Sequence, residues 1–246
     1  MKAKVIDWRH DIHQNPELGN REFRTAGIMA SVNDMKITVK EKPAHGSSPW
    51  SGIDPIVDSA QIITSLQTIV SRNVALTNNA TVVTIGAIHG GNRSNIIPEQ
   101  VEILGTIRTF TNEDEAFVLK RMRDIVELTA QTAGTSANAE RPNSMRFPVT
   151  FNNKKLMGLM LPTLEKTAGK DHVILIPAIT GAEDFSFFAQ KVPGLYFFVG
   201  ARTKGKDPKT AGDHHTPQFL IDDYACKTGV NALSSLVFDS MELNTQ

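Results

Sequence analysis

The chain has 246 residues; Lys and Arg number 26 and Asp and Glu 26, so the formal net charge is zero, with 40% hydrophobic and 21% charged residues. That balance describes a globular chain with material for a core, and it excludes wholesale disorder and a dedicated basic nucleic-acid face. No window holds the ~18 apolar residues of a membrane helix, the polar opening MKAKVIDWRHDIHQ carries no secretory signal and favours the cytoplasm, and the lone Cys226 rules out an intrachain disulfide or a cysteine-rich zinc module.

From Met1 to Ala30 the pattern predicts a short helix, a turn at Asn15-Pro16-Glu17-Leu18-Gly19 and the start of a second helix. Met35 to Lys40 alternates apolar and polar residues, as a half-buried strand does. Asp54 then reads as a helix cap followed by Pro55 at the first helical position. The expected stripe of that helix is Ile56, Val57, Ala60, Ile63, Gln67 and Val70. Strands follow at Thr81 to His89 and Val101 to Thr109, separated by the loop GGNRSNIIPE. In the second strand Val101, Ile103 and Ile107 share one face, and Glu102, Thr106 and Arg108 the other. A second helix is expected from Asn112, with Glu115 completing a capping box, a stripe of Val118, Met122, Ile125, Val126 and Thr129, and a stop at Gly134. With a strand over Ser136 to Arg141, the order is β-α-β-β-α-β, a ferredoxin-like unit.

The remaining hundred residues carry two apolar runs, Val173 to Ile176 and Leu195 to Val199, expected as buried strands. Between them lies GAEDFSFFAQKVPG, a short helical stretch, and a helix from about Asp222 to Met241 closes the chain. Cys226, inside that helix, reads as a small core or boundary residue. The expected fold class is α/β: a ferredoxin-like insert over 33–145, flanked by parts of a split α/β domain at 1–32 and 146–246. Two or three evident core strands make that outer sheet small.

Five places suit chemistry, each with a plainer alternative. His45, between small residues in PAHGSSPW, can donate to a developing oxyanion or simply occupy a solvated turn. Asn95 can orient a carbonyl, or form a turn in its Gly-rich loop. Arg108 suits capture of a carboxylate, or a cross-strand pair with Glu102 or a neighbour. Asp213-His214-His215 offers metal donors or a solvated loop, and adjacent side chains do not readily face one ion. Glu183 and Asp184 stand after an apolar strand, where helix N-capping competes with a site role. His10 and His13 have H-x-x-H spacing with no third donor nearby, which weighs against a metal reading.

Taken in order, RHDIHQNPELGNREFRT, the stretch KITVKEKPAHGSSPWSGIDPIVDSAQIITSLQTIVSR, GGNRSNIIPEQVEILGTIRTF, GAEDFSFFAQKVPG and HHTPQF resemble the M20 family of metal-dependent amidohydrolases, notably the branch acting on N-acyl amino acids. The resemblance implies an α/β catalytic domain holding two divalent ions, zinc or manganese, with an inserted lid that also forms a homodimer. It implies that His45 reaches the partner subunit's site to stabilise the tetrahedral intermediate. Asn95 and Arg108 then match substrate-binding positions, and His215 the last metal ligand; Glu183 lies in a motif lining the site. The chain departs from the family between Thr25 and the lid strand, where a Gly-His-Asp motif and a Glu-Glu pair would supply most metal ligands and the general base. Neither stretch occurs in this chain. Hydrolysis of a small N-acyl amino acid is therefore expected to be impaired, and the alternative reading is a non-catalytic dimerisation and lid module.

Overall fold

The computed structural model describes residues 23–26, 28–75, 77, 79–141, 146–203, 205–207, 211–212 and 216–243. The described chain runs β1 (Phe23–Ala26), β2 (Ile28–Met29), β3 (Val32–Lys40), β4 (Ala44–His45), α1 (Pro55–Thr68), β5 (Val82–Gly90), β6 (Ile96–Ile97), β7 (Gln100–Arg108), α2 (Asn112–Ala133) and β8 (Ser136–Glu140). It continues through β9 (Arg146–Phe147), β10 (Thr150–Phe151), α3 (Lys154–Ala168), β11 (Val173–Ile176), α4 (Ser186–Ala189), β12 (Phe198–Val199) and α5 (Asp223–Leu243). The chain forms two compact units: Ile28–Thr150 with Ala178–Lys191, and β1 with Phe151–Pro177 and the stretch from Val192 onward.

The first unit is built on a five-stranded antiparallel sheet ordered β5-β7-β3-β8, with β9 joined to β3. Alternation fixes its register. Met35, Ile37 and Val39 of β3 and Val101, Ile103 and Ile107 of β7 point into one core, which α1 and α2 cover with Ile62, Leu66, Val118, Met122 and Val126. Gly105 allows the close approach of β5 to β7: a Cβ there would run into the Thr84 carbonyl and Met35 Cε.

Helix α1 begins as expected, with the Asp54 carboxylate accepting from the amides of Ile56 and Val57. Its buried stripe differs from the expected one. Pro55, Asp58, Ser59, Ile62 and Leu66 face inward, while Ile56 and Val57 are 43% and 55% exposed. On that inward face buried Asp58 accepts a hydrogen bond from the Thr135 hydroxyl, a polar contact that hydrophobic spacing does not reveal. In α2 the cap is Thr111 rather than Asn112, its hydroxyl accepting from the Asp114 amide at 3.0 Å. Glu115 instead pairs with Arg141 at 3.1 Å. The stop at Gly134 is as expected, with φ +77°, a left-handed conformation that favours glycine.

The second unit corrects the end of the opening segment, whose expected short helix and turn at Asn15–Gly19 lie outside the described residues. Phe23–Ala26 is a strand, not a helix start; it runs parallel to β11 and antiparallel to β12, giving the order β11-β1-β12. Both partners lie far along the chain, and their pairing overrides the local helical pattern. The two C-terminal runs are only partly the buried strands expected. Leu175 is 70% exposed, and only Phe198–Val199 of the second run is a strand. Helices α3 and α5 pack around Leu164, Ala168 and Ala232, and the Thr163 hydroxyl donates to Asp239 at 2.5 Å. Helix α5 matches the expected span closely, but Cys226 on it is exposed. Among the described residues no helix is long and apolar enough to cross a membrane.

Candidate functional site

After β3 the chain turns at Pro43 and enters the two-residue strand β4, which pairs with β6 so that Ala44 faces Ile97 and His45 faces Ile96. The Gly46 amide donates to the Asn95 carbonyl at 2.8 Å, and the Ser48 amide to the His45 carbonyl at 2.8 Å. A Cβ on Gly46 would stand 3.2 Å from the Asn95 carbonyl carbon and oxygen, so the absent side chain lets the two loops close. His45 and Asn95, fifty positions apart, thus sit on one clamp, both exposed. The ring is held as well: His45 Nδ1 lies 3.1 Å from the Ser47 amide nitrogen and 2.8 Å from the Ser47 hydroxyl.

Arg108 is elsewhere. It closes β7, and its guanidinium donates to the Thr180 carbonyl at 2.7 Å. The expected pair with Glu102 does not form, and neither Glu183 nor Asp184 caps the next helix with its side chain. Glu102 is bound to Lys36 at 2.5 Å, not to Arg108. Helix α4 has no side-chain cap; half-buried Glu183 offers its backbone carbonyl to the Ser186 amide at 3.2 Å.

His45 and Asn95 precede the start of β7, and Arg108 ends it. Nine residues of antiparallel strand separate these ends by about 27 Å. The structure therefore brings His45 and Asn95 together and keeps Arg108 apart from them within one chain. His215 lies outside the described residues, as do Asp213, His214, His10 and His13. Among the described residues no three His, Cys, Asp or Glu side chains converge, so this part of the chain offers no donor set fitting a dinuclear metal centre. A separate cleft of about 560 Å³, lined by residues including Glu115, Arg123, Arg141 and Arg146, contains none of the candidate residues.

Sequence reasoning missed Ser47 and Thr180. Ser47 was within reach, since a polar residue two positions past a histidine in a turn commonly bonds back to it. Thr180 acts through its backbone carbonyl, to which residue type gives no clue.

Residues 31–132 match the family described as the peptidase dimerisation domain. The chain is 34% identical over 224 residues to the N-acetyl-L-cysteine deacetylase of Bacillus subtilis, an overlap covering 89% of this chain and 50% of that relative. It is also 34% identical over 224 residues to the N-acetyldiaminopimelate deacetylase of Streptococcus gordonii, covering 88% and 59%. A solved Bacillus subtilis protein, YXEP, described as a dinuclear metal binding peptidase from the M20 family, superposes with a TM-score of 0.66 at 26% identity, over 94% of this chain and 56% of that one. The chain spans about half the length of the curated relatives it matches.

Proposed function

Because the chain belongs to the M20 peptidase family and carries that family's dimerisation domain, we propose that it descends from amidohydrolases of N-acyl amino acids and keeps their substrate-orienting lid while its own hydrolysis is impaired. The observation that carries this reading is the join between β1 and the lid. β1 ends at Ala26 and the long strand β3 begins at Val32, so the chain has no room there for a block of metal ligands and a base. Amide hydrolysis in this family's manner needs a metal-activated water and a base to take its proton. The described residues do not fit such a centre.

The lid residues retain a coherent division of work. We read the β3-α1-β5-β7-α2-β8 unit as ferredoxin-like, serving as lid and homodimer contact. Arg108 would hold the substrate carboxylate, Asn95 its carbonyl, and His45 would donate to the oxyanion. The length of β7, about 27 Å at the usual strand rise, favours a shared arrangement, in which His45 and Asn95 of one protomer act on a substrate held by its partner's Arg108. The second reading, a non-catalytic dimerisation module, draws support from the lid core, which is complete within its own unit.

Purified chain incubated with zinc or manganese and assayed on N-acetylated amino acids tests the proposal. Turnover at or near background is expected. Turnover at rates ordinary for enzymes, roughly 1–1000 per second, and abolished in His45→Ala, would overturn the claim of impairment.

A further inference from the structure

A neutral imidazole carries its proton on one nitrogen only, and which one decides what the ring can offer. At His45 the surroundings settle the choice. The Ser47 backbone amide can only donate, and it lies 3.1 Å from Nδ1. A proton on Nδ1 would set two hydrogens against each other across that distance. The Ser47 hydroxyl, 2.8 Å from the same atom, rotates freely and donates as well when Nδ1 is bare. Among the described residues Nε2 has no partner, and His45 is exposed.

From this geometry we infer that Ser47 is a positioning residue that holds neutral His45 as the Nε2–H tautomer, with the ring's one proton on the nitrogen facing away from its own loop. The consequence rests on the oxyanion role proposed for His45. An outward N–H can donate to a developing negative oxygen, whereas the other tautomer would present a lone pair and repel it. Gly46 supports the arrangement, since its missing Cβ lets the turn that carries Ser47 stay closed against Asn95.

The test is a long-range proton–nitrogen NMR spectrum of the full chain labelled with ¹⁵N-histidine, recorded where the ring is neutral. The His45 signals are identified by their disappearance in His45→Ala. The expected pattern is widely separated nitrogen shifts, with Nδ1 unprotonated and Nε2 protonated. Ser47→Ala retains the backbone donor and should keep that pattern. Ser47→Pro removes both donors and should draw the two shifts together as the tautomers mix. Protonated Nδ1, or a mixture in the unsubstituted chain, overturns the inference even if Ser47→Pro fails to fold. The spectrum is taken without metal or substrate, so an unexpected hydrolase activity would leave this result standing, and a mixed tautomer would leave the proposed function standing.

Discussion

The Arg108 guanidinium donates to the Thr180 carbonyl at 2.7 Å, across 72 positions of sequence. This bond ties the end of β7 to a segment that also bonds beside β2: the Ala30 amide donates to the Ile179 carbonyl at 3.0 Å, and the Ile179 amide to the Ile28 carbonyl at 3.3 Å. The GAEDF stretch thereby belongs to the same compact unit as the five-stranded sheet. A residue proposed to hold substrate is thus also the strut for a neighbouring segment.

Arg108→Ala should loosen that segment. The arginine is half-buried, so the lost charge-assisted bond is expected to lower stability by about 1 kcal/mol. Hydrogen exchange at the Ile179 amide should quicken while β7 amides stay protected. Unchanged exchange at Ile179 would contradict the strut.

Gly105→Ala should be among the most damaging small substitutions in the five-stranded sheet. The added methyl meets the Thr84 carbonyl and Met35 Cε, and backbone gives way poorly. Overpacking of this kind costs about 1–3 kcal/mol, visible as a lowered denaturant midpoint. A midpoint equal to that of the unsubstituted chain would show the strands are not packed as described.

Asp124 supplies a pH test. Its carboxylate accepts from Lys120 at 2.7 Å with Arg121 at 3.6 Å, and the Lys120 hydrogen bond foremost holds it below the usual aspartate value. A group lowered on folding adds stability above its unfolded pKa, and that contribution fades as pH falls through the folded value. An NMR titration should show the low value, and Lys120→Met should raise it. The same value in both proteins would remove the ion pair from the account.

The proposed homodimer has a natural place on the dimerisation domain. β5 is a sheet edge, Ile88 on it is 49% exposed, and Ile56 and Val57 of α1 are exposed in the same unit. Light scattering at micromolar concentration should report a dimer, and Ile88→Asp should shift it toward monomer. A monomer before substitution would count against the homodimer.

Local chemistry makes much of the first unit legible. Asp54-Pro55 marks the start of α1, Gly134 ends α2, and alternation in β7 identifies its buried face, because caps and strand periodicity are written within a few residues. The rest depends on distant partners. Phe23–Ala26 becomes a strand only because β11 and β12 flank it. The buried face of α1 includes Asp58, whose partner Thr135 lies 77 positions away. At the candidate site, single residues such as His45, Asn95 and Arg108 stood out by type and setting. Their grouping did not, since it depends on the β4–β6 ladder and the length of β7.

The chain carries the M20 dimerisation domain, and we propose that it does so without a working metal centre. The most direct test of that proposal is elemental analysis of the full chain after incubation with zinc or manganese and exhaustive dialysis. Well under one retained ion per chain is the expected result. Two tightly held ions per chain would contradict the account.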